Sequence, residues 1–421
     1  MFEPNINIIF NSKDDVFVFQ LETGGIISYT IFDSSLHYME SNSLKDKDIL
    51  KFSTLIDEYD TIHLVALLNT GDLNYYKFSE KIWSKLTIAK FDTKSNIYNQ
   101  IEVLKINNKL HIIYNYSNLI NSNIWTIQHV VYESEEKHNA IRYLSKKSTD
   151  PFVLSYDSQG TIHILYRNDI NNPQIYHCFY SPYTRTWSSL PKQVSSDNSN
   201  TSLPFLFIDS KDNLHGLWIE ALDGRYQLKY LRMSSKGKEK YIWKDVLLPY
   251  IQFSKFLPII FEENNVLKLI FISNNSINLL YSNDYGCTWS KGENSQDIDE
   301  NIILSKVKKN SNNISYLYCY PFNELKFYFL DSLLHKESKN STNELPLETE
   351  NKNISLEIIH TEDTISNELD TKLNELLSNY KNFESQLSKL LANQESLKGK
   401  LDEIQKSVDS KKRSILSRLF N

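Results

Sequence analysis

Four histidines recur at near-regular spacing: His63, His111, His163 and His215, in "DTIHLVAL" (60–67), "NKLHIIYN" (108–115), "GTIHILYR" (160–167) and "DNLHGLWI" (212–219). Imidazole is the commonest metal ligand, so a shared ion is the first chemistry to weigh. Geometry opposes it. Each histidine enters a strand just after a turn, and packed sheets lie about 10 Å apart, whereas metal–nitrogen bonds are about 2 Å. The expected role is a buried imidazole bonded to a backbone group near the turn, repeated because its surroundings repeat. Carboxylates are the second candidates, since glycosidic cleavage needs two of them roughly 5–10 Å apart. Asp157, Asp209, Asp212, Glu262 and Glu263 all fall in turns, where they shape the backbone first. Arg167 and Glu220 close adjacent histidine strands, and an ion pair between sheets is expected of them. The sequence carries no P-loop, no Gly-x-Gly-x-x-Gly, no His-Glu-x-x-His and no Gly-x-Ser-x-Gly. No cofactor or metal site is expected, and the reading leans against catalysis.

The elements that position these residues form a repeat. Three further copies lack the histidine, "DDVFVFQL" (14–21), "NVLKLIFI" (265–272) and "NNISYLYC" (312–319). The aligned positions are 17, 63, 111, 163, 215, 268 and 315, so the period is close to fifty residues throughout. Within each copy an apolar strand precedes a tight turn and the aligned strand. An aromatic third strand such as "QIYHCFYS" (174–181) follows, then a short segment led by tryptophan. Four short strands repeated at this period are the signature of β-propeller blades. One blade cannot bury both of its faces, so copies must stack. The expected fold is an all-β propeller of seven four-stranded blades, with six or eight as alternatives, over residues 1–335. "NISLEIIH" (353–360) is either an added strand or the start of a stalk.

The sixth copy contains "YSNDYGCTWSK" (281–291). Asp284 is suited to accept turn N–H groups, Gly286 to supply a positive φ, and Ser282 and Thr288 to add local hydroxyl bonds. Trp289 then places a large ring between neighbouring blades. Trp83, Trp187 and Trp243 hold equivalent places, the last after a longer turn. We read the four tryptophans as structural, with sugar-stacking platforms as the rival reading. On Ser282, Asp284, Gly286, Thr288 and Trp289, the chain resembles the sialidase-like, Asp-box (BNR-repeat) propeller superfamily. The resemblance implies a propeller fold. Sialidases of that family use an arginine triad, a Tyr/Glu nucleophile pair and an acidic general acid. The propeller region here has only Arg142, Arg167, Arg185, Arg225 and Arg232 and no Arg-Ile-Pro motif, so the resemblance points to a non-catalytic relative.

After a polar linker (336–363) the pattern changes. Leu369, Leu376, Phe383, Leu390, Leu397 and Ile404 fall at heptad position d, and Leu373, Tyr380, Leu387, Gln394, Leu401 and Val408 at a. This predicts a helical coiled coil over 364–410 and a homo-oligomer, dimer or trimer. The tail (411–421) is basic and amphipathic, with Lys411, Lys412, Arg413 and Arg418 beside Leu419 and Phe420, and could meet a membrane or a partner.

Bulk composition bounds the function. Net charge is −6, so no pull toward nucleic acid is implied. Three cysteines without motif spacing indicate reduced thiols. No apolar run reaches about 18 residues, and no signal peptide precedes the first strand, which makes the cytoplasm the default, with spore or phage-particle association also open. The expected function is non-catalytic recognition: propeller heads that bind a protein or glycan through the loops near 115–125, 167–173 and 219–225, multimerised by the coiled coil. The alternatives are a glycoside hydrolase or lyase on the same scaffold, and a membrane-peripheral scaffold held by the basic tail.

Overall fold

The computed structural model describes residues 2–327, apart from positions 135, 147–151, 171, 198–199, 223–224, 239, 250–256, 274–275, 293–294, 298–301, 310 and 321–324. The added strand at 353–360, the heptads of 369–408 and the basic tail of 411–421 lie outside the described residues, as do the boundaries drawn beyond 327.

The described residues form six mostly antiparallel sheets of four to seven strands in a propeller-like arrangement. The first sheet opens with Phe2–Phe10, Val16–Leu21, Ile27–Phe32 and Tyr38–Ser43. The second contains Ile49–Ile56, Ile62–Leu68, Asp72–Ser79 and Ile82–Lys90, and the third Asn96–Ile106, Lys109–Asn118, Ile124–Val131 and Glu136–Leu144. The fourth contains Val153–Tyr156, Ile162–Asn168, Gln174–Ser181, Thr186–Trp187 and Lys192–Gln193. The fifth is Asn200–Ile208, Leu214–Leu222, Arg225–Met233 and Trp243–Asp245. The sixth is Ile259–Glu263, Val266–Ser273, Ser276–Ser282, Ser290–Lys291 and Gln296–Asp297. The last three strands, Ile303–Lys309, Ser311–Tyr320 and Lys326–Phe327, join the first sheet. Ile303–Lys309 runs parallel to Phe2–Phe10, with Ile8 opposite Val307 and Phe10 opposite Lys309.

The first two strands of each sheet are more buried than its last. Ile162–Asn168 is buried along its whole length, on both faces, as a central strand between packed sheets must be. Tyr38–Ser43 is exposed throughout, and Ile82–Lys90 mostly so. Among the described residues, four apolar clusters fill the gaps between sheets. One of them joins Val153, Leu165 and Ile175 of the fourth sheet to Leu206, Leu214, Trp218 and Met233 of the fifth.

The turns between first and second strands share a design. Asp57, Asp157 and Asp209 each accept two backbone N–H bonds through Oδ1, from residues two and four positions on. Each turn then closes with one residue at positive φ: Asp60 at 58°, Gly160 at 80° and Asp212 at 61°. Aspartate bonds its own backbone and tolerates the left-handed region better than most side chains.

Neighbouring turns are stitched together. Ser12 N–H and Oγ–H donate to Asp60, Ser158 to Asp212, and Ser210 to Glu262. Lys105 pairs with Asp57 at 2.7 Å, and Lys309 with Asp14 at 2.8 Å. First strands also meet directly. Lys306 contacts Glu102, and Lys308 donates to the Thr54 carbonyl and, at 3.3 Å, to the Val103 carbonyl. All five of these residues are buried, which ties the last strands of the first sheet to the second and third sheets.

Candidate functional site

The four histidines sit on the second strands of four successive sheets, in one register. Each bonds a side chain on the third strand, two residues before its cross-strand partner, a diagonal neighbour within reach of long or aromatic side chains. His63 Nδ1 meets Tyr75 Oη at 2.7 Å, and His111 Nδ1 meets His129 Nε2 at 2.9 Å. His163 Nδ1 meets His177 Nε2 at 3.1 Å, and His215 Nδ1 meets Tyr230 Oη at 2.8 Å.

The expectation of backbone partners needs correction at three of the four. His63 and His215 direct Nε2 to Asp57 and Asp209, 3.0 Å away in both cases, and His163 directs Nε2 toward Asp157 at 3.8 Å. Only His111 ends on a backbone group, the Ile106 carbonyl. The physical reason is the turn. Once Oδ1 of the aspartate has satisfied the turn N–H groups, Oδ2 is left facing the buried imidazole, and a buried polar atom needs a partner. The sequence carried this signal as Asp-x5-His at 57/63, 157/163 and 209/215, with Lys105 in the corresponding place before His111.

Burial dominates the electrostatics. It pushes His111 down to about 4 and His129 down to about 2, and pushes His177 well below the ordinary imidazole range. These rings are neutral at neutral pH. Burial would raise Asp209, but His215 and Asn213 outweigh it and hold the carboxyl below its usual value. Burial likewise opposes the Asp157 charge, and His163 and the Thr161 N–H outweigh it.

Three of the tryptophans extend these chains across sheets, and Trp83 makes the like contact with Tyr29 of the first sheet. Trp243 packs edge-on to His177 with ring centres 5.3 Å apart, and Trp289 edge-on to Tyr230 at 5.3 Å. Trp187 meets His129 at 5.7 Å, and Trp83 meets Tyr29 at 5.8 Å. Each ring comes from the sheet after the one it touches.

What covers the pairs differs between sheets, and the difference makes a cavity. Over His215 and Tyr230 sits the turn of the sixth sheet. Ser282 Oγ–H donates to Asp284 Oδ1 at 2.8 Å, and the Gly286 N–H donates to Ser282 Oγ at 2.8 Å. The Thr288 N–H and Oγ1–H donate to Asp284 at 2.9 and 2.6 Å. Gly286 has φ of +81°, and a Cβ there would lie 2.1 Å from Tyr230 Oη and 2.9 Å from the His215 ring. The glycine is required twice, by the backbone and by the close approach.

The corresponding segment of the fifth sheet, 234–242, is longer and leaves the space over His163 and His177 open. The result is a cavity of about 330 Å³ between the fourth and fifth sheets. Asp157, His163, His177 and Lys192 supply polar atoms, and Phe179, Tyr183, Leu190, Met233, Tyr241 and Trp243 supply the apolar walls. Tyr183, Leu190 and Tyr241 are exposed at the rim. The cavity therefore draws on the segments 157–163, 177–192 and 233–243, whereas the loops near 115–125, 167–173 and 219–225 were the expected contact region. Of the residues singled out from sequence, Asp157, His163 and Trp243 line it.

The remaining candidates are used elsewhere. Arg167 is buried and pairs with Asp169 at 2.7 Å, and Glu220 accepts the Trp218 indole N–H at 3.1 Å. Arg185 pairs with Glu136 on the surface, and Arg232 donates to the Tyr285 carbonyl. All three cysteines are free. Among the described residues, no group of three His, Cys, Asp or Glu is placed to hold a metal ion, and no helix is long and apolar enough to cross a membrane.

The sequence matches no protein-family model and no curated protein. Solved structures do resemble it. A polysaccharide lyase, an ulvan lyase, is similar at a TM-score of 0.50 and 13% identity, over 77% of this chain and 92% of that one. Its saccharide-bound form aligns at 0.49 and 12%, with the same coverage. The Aleuria aurantia lectin in complex with Fucα1-6GlcNAc aligns at 0.40 and 12%, over 70% of this chain and 97% of that one. At these identities the likeness concerns the fold alone.

Proposed function

We infer that the described domain is a carbohydrate-recognition propeller whose saccharide seats between the fourth and fifth sheets. The observation that carries this reading is the cavity. A pyranose ring has an apolar C–H face and a rim of hydroxyls. The rings of Tyr241, Trp243, Phe179 and Tyr183 suit the face, and Asp157, His163 and Lys192 suit the rim. At about 330 Å³ the volume suits a small sugar unit rather than an extended polymer groove. The test is calorimetric titration of the full chain with mono- and disaccharides. Tyr241→Ala is the cleaner variant, because Tyr241 is exposed and carries little of the fold. It should weaken binding roughly tenfold or more. Saccharide affinity indifferent to Tyr241 and Trp243 would overturn this placement.

Within the same proposal the seven-stranded sheet is two blades, the first and the seventh, joined at their innermost strands, which makes seven blades. The turn 282–289 is an Asp-box by its residues and bonding. The heptads of 369–408 would present several heads at once. Light scattering should then show an oligomer for the full chain and a monomer for a chain ending at Leu334, and a monomeric full chain sinks this part. The basic tail of 411–421 as a membrane contact is tested by liposome flotation with and without it.

A second reading, a glycoside hydrolase or lyase, is favoured by one observation: the inner strands bring Glu102, Lys306 and Lys308 together. Turnover of neutral and uronate polysaccharides, followed by reducing ends and by ultraviolet absorbance of unsaturated products, should then appear and be lost in Glu102→Gln.

A further inference from the structure

The segment that leaves the cavity open is also the one that carries charge. The turn that seals the sixth sheet, 283–289, holds no lysine, and Arg185 in the turn of the fourth sheet is paired with Glu136. The segment 234–242, which borders the cavity, holds Lys236, Lys238 and Lys240, all exposed. Lys192, also exposed, stands in the cavity wall, and its charge reaches the buried His177 ring. None of these ammonium groups pairs with a carboxylate among the described residues. Asp157 is the carboxylate in the wall. Its Oδ1 accepts the Gln159 and Thr161 N–H groups, and its Oδ2 is turned toward His163. The entrance is therefore rich in unpaired positive charge beside apolar walls.

The rim is held in place. The Tyr241 N–H donates to the Ser234 carbonyl at 2.9 Å, and the Lys240 N–H to the Gly237 carbonyl at 3.3 Å. Tyr241 has φ of +63°, an angle that a bulky residue keeps only where its surroundings impose it. The Lys240 ammonium lies 4.6 Å from the centre of the same ring. An aromatic wall and a cation thus come to the entrance as one unit.

We propose that the sugar held in this cavity carries a fixed negative charge, a carboxylate or a sulfate ester, received by Lys192 and Lys240. This deepens, and rests on, the saccharide reading above. One exposed ion pair changes an affinity by about fivefold or less, so a single lysine would sort ligands poorly. Several unpaired ammonium groups around one mouth act together, and they draw in an anion before it docks. Lysine is a compact point charge without the planar fork of arginine, so it receives a carboxylate and a sulfate alike.

The experiment is calorimetric titration of the full chain with methyl glycosides of the neutral hexoses, of the matching uronic acids and of the matching 6-O-sulfates. At about 0.01 M salt a charged glycoside should bind roughly tenfold tighter than its neutral parent. At about 1 M salt, where screening acts within about 3 Å, that preference should shrink. Which of the two charged series gains tells carboxylate from sulfate. Lys192→Gln with Lys240→Gln should bring the charged glycoside down to the affinity of its neutral parent. Lys192→Arg keeps the charge and should keep the preference. A neutral glycoside that binds as tightly as both charged forms overturns the proposal, and so does a preference that survives the double substitution. If in either case Tyr241→Ala still weakens binding, the saccharide reading stands without the charge. If no glycoside, neutral or charged, binds the unaltered chain, both fall together.

Discussion

Gly286 and His215 show how much single residues are asked to do in this fold. Gly286→Ala would place a methyl 2.1 Å from the Tyr230 hydroxyl at a backbone angle of +81°. The substitution should destabilise the propeller by about 1–3 kcal/mol or more, read as a lower urea midpoint. The buried imidazoles set the acid limit. His63, His111, His129, His177 and His215 are all depressed by burial, while in the unfolded chain each titrates near 6.5. Below that pH the unfolded state takes up protons that the folded state refuses, so the stability these groups contribute is present above about 6.5 and is lost as pH falls. The urea midpoint should drop steadily from pH 7 to pH 5, and His129→Phe should make that slope shallower. An unchanged slope would show that His129 titrates alike in both states.

At the scale of elements, the turn entering the fourth strand decides whether a sheet is sealed or open. The turn 283–289 seats on His215 and Tyr230, and the segment 234–242 leaves a cavity beside the buried His163 and His177. Replacing 234–242 by the sequence of 283–289 should close the cavity, hold or raise the thermal midpoint, and abolish saccharide binding. Retained binding would place the site elsewhere. This is also where the sequence stops being readable. Strand order, the tight turns and the aligned histidines show as period and pattern, because each belongs to one repeat. The third-strand partners did not show, since two are tyrosine (Tyr75, Tyr230) and two histidine (His129, His177) and all are reached on a diagonal that needs the register. The cavity was hidden for a related reason. Tyr183 and Leu190 come from one repeat and Tyr241 and Trp243 from the next, so neither repeat contains it. The longer turn before Trp243 was visible, but its meaning depends on what the shorter turn covers one sheet further on.

For the whole molecule, the inner strands matter most. Burial pushes the Lys308 ammonium down to about 7, while in the unfolded chain it titrates near 10.5. The folded state therefore binds fewer protons between those values, and this group makes stability rise with pH from about 7 to 10. Lys308→Met should flatten that rise. Because it also removes the donor to the buried Thr54 and Val103 carbonyls, it should cost about 1–3 kcal/mol at neutral pH. Guanidine midpoints across that range check both statements, and a rise that survives the substitution assigns it to another group.

The parallel pairing of Phe2–Phe10 with Ile303–Lys309 has a consequence in the cell rather than in the folded molecule. A ribosome that adds about 5–20 residues per second delivers the second partner roughly 15–60 s after the first. For that interval the apolar edge of Phe2–Phe10 waits without its neighbour. A nascent chain of this kind depends on being shielded until its end arrives, and its yield should follow chaperone supply more closely than it follows the stability of the finished ring.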